Sequence, residues 1–541
     1  MNKSQWILFF SFVGVVFGGS LAFWWVEDGW TWLDALYMTI ISVTTVGYGE
    51  VQPLSSAGRV VAMLVLFGGL GIFGLVISQV TSFAVGGALE GAVQRRRTAK
   101  LANRLSGHSV YCGLGDRGYA LLAGRKNCVV VDSDRLNPAI LAEKKNKRLI
   151  LHEDAHNAAF LEMAGAQRAG EIIVAAGKDS QNLAIARSIR ESLGDGSPPR
   201  VIAAVENFAT RDCFADALHK QGIELFGFWE QSLLELAQKM ALQQVRKWRA
   251  LPTAPLKLIL QVEGPLLEEA LRVFGMVLQL GGLQKLQIEA YTVSDTFKSS
   301  FEARFPEYGR CCEIAWRSDE FINLEGLDSQ PDFAFFAASN VTRAVELAKR
   351  CSRAAPDMQA SHIYGCYWST EESDKIVRGM TSADEGIEVF SLYELLARQD
   401  GLVSHAMDTE GRAIHESYRA SAKHKVSSWE ALSEFHRNSN RQAALQRSIY
   451  QAAWQAGEGS ADEAALLEYL AQCEHLRWMA FHLMSGWRLD SHGLPRDQWQ
   501  RFKVHPNLVP YTELSEDDKE KDRVNIRAAL PAVGYLSSGA A

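Results

Sequence analysis

Apolar residues are distributed very unevenly along this chain, and the pattern changes character three times. Trp6 to Trp25 is an uncharged, mainly apolar stretch of about the length a helix needs to cross a bilayer. Val60 to Val85 is a second such stretch, rich in glycine and entered by Arg59. Between them, "TWLDALYMTIISV" (31–43) has helical periodicity but is too short to span, which predicts a re-entrant helix. From residue 108 the chain turns to short apolar runs alternating with amphipathic segments, the rhythm of parallel strands and helices. "HSVYC" (108–112), "CVVV" (128–131) and strand–helix–strand–helix over 148–186 set this rhythm. It restarts after the proline-marked joint "RALPTAP" (249–255), with strands at 256–262 and 286–295, a helix at 265–280, and strand–helix units at 332–351 and 388–399. From about residue 405 the pattern becomes helical and aromatic.

Charge and composition sharpen this outline. The 541 residues carry a net charge of −7, which argues against a nucleic-acid partner. The eight cysteines contain no C-x-x-C pair, so they read as ordinary buried thiols in a reducing compartment. No Lys or Arg lies between Lys3 and Arg59, while Arg95, Arg96, Arg97, Lys100 and Arg104 crowd behind the second apolar stretch. The positive-inside rule then predicts a multi-pass protein of the plasma (inner) membrane, in contact with lipid, with both termini cytoplasmic. A signal peptide fits the first stretch less well, because it is long and no small-residue cleavage site follows. The external loop, 27–56, holds Glu27, Asp28, Asp34 and Glu50, which are expected to have no basic partner and so to gather cations.

That loop ends in "TTVGYGE" (44–50). Non-helical backbone survives at membrane depth only where it is buried in protein or lines a wet path. Gly47 and Gly49 permit positive φ, letting successive carbonyls turn to one side and replace the water around a dehydrated cation. Thr45 adds a hydroxyl at the inner end, and Val46 and Tyr48 are expected to pack away from the axis. Thr44 and Glu50 flank the strand. Thr45-Val46-Gly47-Tyr48-Gly49 resembles the selectivity filter of potassium channels, and residues 6–90 resemble the two-span pore unit of that family. The resemblance implies K⁺ bound at the filter carbonyls, no other metal, and a homotetramer, since one chain supplies a quarter of the ring. Glu50 stands where the family usually has Asp, and Ile41 where an acidic residue often braces the filter. No Arg-rich helix precedes the first span. Gly68, Gly69, Gly71 and Gly74 offer hinges for gating, or equally close helix packing.

The first strand of the next region runs into Gly113-x-Gly115-x-x-Gly118, with Asp116 and Arg117 inside the motif and Asp132 ending the following strand. Strand, glycines, helix, strand and terminal acid in this order predict a Rossmann unit, with phosphate at the glycine loop and ribose at Asp132. These segments resemble the regulator-of-potassium-conductance (RCK, or TrkA-N-like) domain. Asp154 falls in the family's Gly-Asp-Ala position, read here as Glu153-Asp154-Ala155, and Asn182 matches its asparagine. The resemblance implies a bound NAD(H), ATP/ADP or cyclic (di)nucleotide; glycines kept only for tight packing are the alternative. Residues 226–245 would be the crossover helix that mates neighbouring modules. The second Rossmann-like region resembles another such module, but "VEGPLL" leaves only Gly264 before a proline, so its role reads as structural.

The last region carries Glu474-His475, Arg477-Trp478, Gly486-Trp487 and His505-Pro506 in an order that resembles the ryanodine-receptor (RyR) repeat. Glu474, Arg477 and Trp478 share a helix face, as a buried ion pair under an indole or as part of a pocket. Arg437, Asn438, Asn440, Arg441 and Trp478 are its candidate ligand residues, as a cationic, aromatic-floored pocket for a nucleotide. The fold class expected is thus a membrane α-helical pore of two spans and a re-entrant helix, fused to tandem α/β Rossmann-like domains and a mainly α C-terminal domain. The boundaries read as 1–90 for the pore, 91–107 for a linker, 108–248 and 256–400 for the two α/β domains, and 405–535 for the helical one. The expected function is a potassium channel gated by a cytoplasmic nucleotide-sensing ring. The alternatives are a membrane-tethered dinucleotide-binding protein and a regulatory subunit of a potassium transporter. No acid–base constellation for an enzyme is evident, and His152 and His156 read as surface residues.

Overall fold

The computed structural model describes residues 3–85, 88–122, 125–146, 148–157, 159–193, 199–248, 250–291, 293–318, 331–355, 358, 362–368, 387–397, 405–421, 426–457 and 462–530. It divides into two compact units, residues 1–100 and 101–541.

In the first unit, α1 (Lys3–Val26), α2 (Trp32–Val43) and α3 (Ser56–Val85) pack on one another, and α4 (Ala88–Ala102) carries the chain onward. Ser56–Ser78 of α3 is long and apolar enough to cross a membrane; the corresponding described stretch of α1 is Phe10–Val26. The short helix α2 begins where Thr31 and Asp34 form a capping box, each side chain serving the other's main-chain N–H. Its inner face joins Phe23, Trp30 and Val65 in a small core through Ala35, Met38, Ile41 and Val43. Gly19 lets α1 approach both α2 and α3: a Cβ there would lie 2.9 Å from Thr39 and from Val65.

The second unit holds two six-stranded parallel sheets. The first is built from β1 (Ser109–Cys112), α5 (Asp116–Leu122), β2 (Cys128–Val131), α6 (Pro138–Lys145), β3 (Leu149–Leu151), α7 (Phe160–Met163), β4 (Glu171–Val174), α8 (Asp179–Leu193), β5 (Arg200–Ala204), α9 (Phe208–Lys220), β6 (Ile223–Phe226) and α10 (Phe228–Val245). Its strand order, β3-β2-β1-β4-β5-β6, reverses direction between β1 and β4 and is the doubly wound order that binds ligands at that switch. Val129, Val130 and Val131 are fully buried, as a central strand covered on both faces requires.

The second sheet uses β7 (Lys257–Val262), α11 (Leu266–Val277), β8 (Leu286–Tyr291), α12 (Asp295–Arg304), β9 (Cys312–Trp316), β10 (Phe333–Ala338), α13 (Val341–Ala354), β11 (Ile363–Tyr367), β12 (Glu388–Ser391) and α14 (Leu392–Ala397). Its order, β12-β11-β10-β7-β8-β9, repeats the first. The C-terminal region follows as α15 (His405–Ser421), α16 (Glu434–Gly457), α17 (Glu463–Leu483), β13 (Arg488–Leu489), α18 (Trp499–Phe502), β14 (Val504–His505) and α19 (Glu516–Ala529).

The sequence suggests separate second-sheet and helical domains, but the two share one hydrophobic core. It runs from Leu233 and Met240 of α10 through Phe274 and Phe335 to Ile449, Leu470 and Met484. Helix α10 therefore joins modules within one chain: it packs on α11, α14 and α16. A buried ion network locks the joint. Arg211 of α9 pairs with Glu269 of α11 and, at 3.0 Å, with Glu230 of α10. Arg272 meets Glu269 at 2.8 Å and donates from Nε to the Met484 carbonyl at 3.0 Å. Burial alone would raise the Glu269 carboxyl, but Arg272 and Arg211 together hold it below the usual carboxylate range.

Glu269→Gln leaves two guanidinium groups short of a buried counter-charge and should cost about 3–5 kcal/mol of stability. Arg187→Gln, which breaks an exposed pair at 2.9 Å, should cost under about 1 kcal/mol. Urea melts of the detergent-solubilised protein compare the two; equal, small effects would contradict the joint's importance.

Candidate functional site

The strand after α2 is held from behind by the helix's own last turn. Val46 and Gly47 both donate their N–H groups to the Ile41 carbonyl, at 3.1 and 3.2 Å, and Thr45 donates to Ser42. Thr45, Gly47 and Gly49 have φ of 60°, 62° and 110°, whereas Val46 and Tyr48 do not have positive φ. Alternate residues thus sit in the left-handed region, and this alternation turns successive peptide groups toward a common side. A Cβ at Gly47 or Gly49 would meet nothing within 4 Å, so backbone conformation, not crowding, is what demands glycine there. Val46 and Tyr48 are 52% and 81% exposed in the single chain. Thr44 caps α2, its hydroxyl donating to the Ile40 carbonyl at 2.7 Å.

The acidic loop differs from the cation-gathering arrangement expected of it. Glu50 accepts from the Leu54 N–H at 3.1 Å and lies 3.6 Å from Arg59, so it does have a basic partner. Glu27 is buried and accepts from the Ser55 N–H and hydroxyl, at 3.0 and 2.8 Å, fixing the start of α3. Asp34 is spent in the capping box. Arg59 lies only three residues into α3, within reach of the loop in space though outside it in sequence. Among the α3 glycines, Gly69 is a packing position, with a Cβ 2.7 Å from Val43, while Gly68, Gly71 and Gly74 face open space. The helix is continuous through all four.

At the switch point of the first sheet, the three motif glycines have different physical reasons. A Cβ on Gly113 would lie 2.2 Å from the Ala176 Cα, and one on Gly118 would lie 2.3 Å from the Gly113 carbonyl oxygen. Those two glycines close the strand–helix turn. Gly115 differs from them: a Cβ there would meet nothing within 4 Å, so crowding does not require its glycine. Asp132 accepts from the Leu114 N–H at 2.7 Å and the Asp134 N–H at 2.8 Å, so it braces the glycine loop. Asp154 is exposed and bonds the His156 N–H and ring, both at 2.9 Å, which hold its carboxyl below the usual range. His156 is exposed, but His152 is half-buried, with an Nδ1 that has no hydrogen-bond partner among the described residues. Asn182 ties the Ala176 N–H to the Ala204 carbonyl, both at 2.9 Å, fixing the two loops beside the cleft.

Arg117 is engaged by residues outside the glycine loop. Its guanidinium lies 3.7 Å from Glu206 and 5.7 Å from the Trp229 ring, and Glu206 in turn accepts from the Phe228 and Trp229 N–H groups that open α10. Tyr393 of α14 packs on Phe228 and Trp229, with ring centroids 5.0 and 5.9 Å apart. Helix α5 therefore rests on α14 of the second sheet. Nothing in the sequence signalled this contact, because it joins residues nearly 300 positions apart.

The pocket expected around α16 is not assembled. Arg437 is buried and donates to the Trp429 and Glu430 carbonyls at 3.1 and 2.8 Å, docking beside His219 of α9. Arg441 is neutralised by Asp408 and Glu434 and donates to Asn438, while Asn440 donates back to the His436 carbonyl at 2.8 Å. Trp478 lies elsewhere, among His482, His505 and His475, with ring centroids 4.2, 4.9 and 5.8 Å away. These side chains satisfy one another, which residue type and spacing alone did not reveal.

Comparison with known proteins agrees with this layout. Residues 7–85 match the family described as "Ion channel", and residues 110–224 match the TrkA-N domain. Over 168 residues the chain is 25% identical to "Potassium channel protein 1" of Methanocaldococcus jannaschii, covering 30% of this chain and 50% of that one. Over 81 residues it is 36% identical to "Calcium-gated potassium channel TvoK" of Thermoplasma volcanium, covering 15% and 22%. The chain thus spans half or less of the length of these relatives. Among solved structures, GsuK bound to ADP covers 73% of this chain and 96% of its own at 16% identity and a TM-score of 0.33, and the NAD-bound GsuK channel covers 73% and 81% at 14% and 0.32.

Burial, more than the neighbouring Arg496, pushes His505 down to about 4, and burial holds His482 well below its ordinary value. At His505 the unfolded chain takes up its proton near pH 6.5 and the folded chain only near pH 4, so this contribution to stability is full above about 6.5 and drains away below it. Replacing His505 with Asn should flatten the dependence of unfolding free energy on pH between 5 and 6 by up to about 1.4 kcal/mol per pH unit. An unchanged slope in urea melts would contradict the buried, neutral imidazole.

Proposed function

We propose that this protein is a potassium-selective channel of the plasma (inner) membrane, formed by four copies and gated by nucleotide binding at the first α/β domain. The observation that carries the reading is the alternation of left-handed residues through Thr45-Val46-Gly47-Tyr48-Gly49, fixed by the Ile41 carbonyl and flanked by Thr44 and Glu50. Four such strands around one axis would line it with carbonyl oxygens and cover the exposed Val46 and Tyr48 side chains. Both termini lie in the cytoplasm on this reading, and the chain's work is conduction, not catalysis.

The ligand would sit across the glycine loop, its phosphate against Gly115 and its ribose toward Asp132, with Asp154 at the outer edge; Gly113, Asp116 and Gly118 shape the turn. Arg117 would act through its neighbours instead of touching phosphate. A shift of α5 on binding passes to α14 through their contact and to α10 through Arg117, Glu206 and Trp229. An adenine nucleotide, NAD(H) or a cyclic (di)nucleotide suits this cleft. Taking a gate from 1:99 to 99:1 needs about 5.5 kcal/mol of differential binding, or roughly 1.4 kcal/mol from each of four sites. The C-terminal helices, read as a single RyR-type repeat, would pair between neighbouring subunits.

The test is rubidium flux into proteoliposomes of purified protein, with and without ATP, ADP or NAD. Flux should change on adding one of them, and Gly115→Ala should abolish the response while leaving the protein's melting temperature intact. Nucleotide binding without flux in any condition would favour a membrane-tethered binding protein or a transporter's regulatory subunit.

A further inference from the structure

A cavity of about 480 Å³ lies among α15, α16, α17 and α19, well inside the range of small-molecule sites. It is separate from the glycine-loop cleft, and none of Arg437, Asn438, Asn440, Arg441 and Trp478 lines it. Its deepest polar group is Glu474, 97% buried. The Glu474 carboxylate accepts from the Tyr450 hydroxyl at 2.8 Å and from Arg477 at 2.7 and 2.8 Å. Three donors leave a carboxylate with accepting capacity to spare, and here the spare capacity borders the cavity. Arg477 neutralises its charge, so the position favours a neutral N–H donor over a cation.

The lining also carries a cationic group, Arg447. Of the other charged side chains lining the cavity, Glu520 is paired with Arg523 and Arg527, Lys521 with Asp518, and Asp517 is engaged as well. Arg447 is different: its half-buried guanidinium donates only to the Ala528 and Ala529 carbonyls that end α19, and among the described residues no carboxylate neutralises it. The lining also includes Ile414, Tyr418, Tyr450 and Val524, apolar and aromatic surface for a flat ring. A ligand matched to this lining is planar, carries an N–H donor at one end and an anion at the other. A purine nucleoside phosphate has that layout, with its ring N–H or amino group toward Glu474 and its phosphate toward Arg447.

We infer that this cavity is a second nucleotide site, in the helical region, specific for purine nucleoside phosphates. Occupancy would bridge α15 and α16 to the end of α19. The start of α16 is docked on the first α/β domain, where the Glu434 N–H donates to Asp216 at 2.6 Å and Arg437 meets His219, so the site is wired to the same body that holds the glycine-loop cleft.

Photolabelling of the full-length protein in detergent with 8-azido-ADP and 8-azido-GDP, followed by peptide mapping, tests this. Label is expected within residues 413–418 or 443–450, competed by unlabelled ADP or GDP. It should fall about ten-fold or more in Arg447→Gln, which loses a charge-assisted hydrogen bond, and in Ala443→Trp, which fills the cavity. Label near residues 113–132 should persist in both variants; Arg447→Gln alone carries the test if Ala443→Trp does not fold. Label confined to 113–132 would overturn this inference and leave the gating cleft standing. Label only at 413–450 would support it and count against the cleft. No label at either would overturn both.

Discussion

A short strand that alternates left-handed and right-handed residues is the constraint from which the membrane unit follows. Thr45 is the costly member, because a β-branched residue at φ 60° stores about 1–3 kcal/mol of strain. That strain persists only if the surroundings over-determine it, and here they do. Two N–H groups converge on the Ile41 carbonyl, Ile41 is locked in the core of α2, and α2 is pinned at its start by a capping box. Gly69 lets α3 press against Val43, the residue that ends α2. Each of these contacts serves to hold five residues in a conformation they would not adopt alone.

The second unit obeys a different constraint. Its two sheets and the C-terminal helices look in sequence like three domains in a row, but Arg211, Glu230, Glu269 and Arg272 tie them into one body. A network of this kind tolerates little independent motion, since separating any partner leaves a buried charge without its counter-ion. A rigid body of that sort suits a device in which a small displacement of α5 is to be felt at α14 and α10. The second sheet lacks a glycine loop of its own, and its described role is to receive α5 and to share a core with the helices.

Much of this was legible in the chain. A strand running into a glycine loop, as in "HSVYCGLGDRG", and a valine run such as 128–131 announce central parallel strands, and Val110, Tyr111, Cys112 and all of 128–131 are buried. The alternating backbone of 45–49 was legible in part because Gly47 and Gly49 stand at two of its three positive-φ positions. What the sequence could not show were contacts between distant residues of opposite sign. Glu50 finds Arg59, Arg117 turns to Glu206, and Arg437 and Arg441 are consumed by α9, Asp408 and Glu434 instead of lining a pocket. A charged side chain in a pattern announces that it needs a partner, and only the fold says which one it gets.

The claim at the centre is that five residues strip water from K⁺ and reject Na⁺. Reversal potential in planar bilayers, with K⁺ on one side and Na⁺ on the other, measures this directly. Selective conduction predicts a reversal potential displaced strongly toward the K⁺ equilibrium value, and Gly47→Ala should abolish that current. A current reversing near zero, carried equally by both ions, would contradict the account.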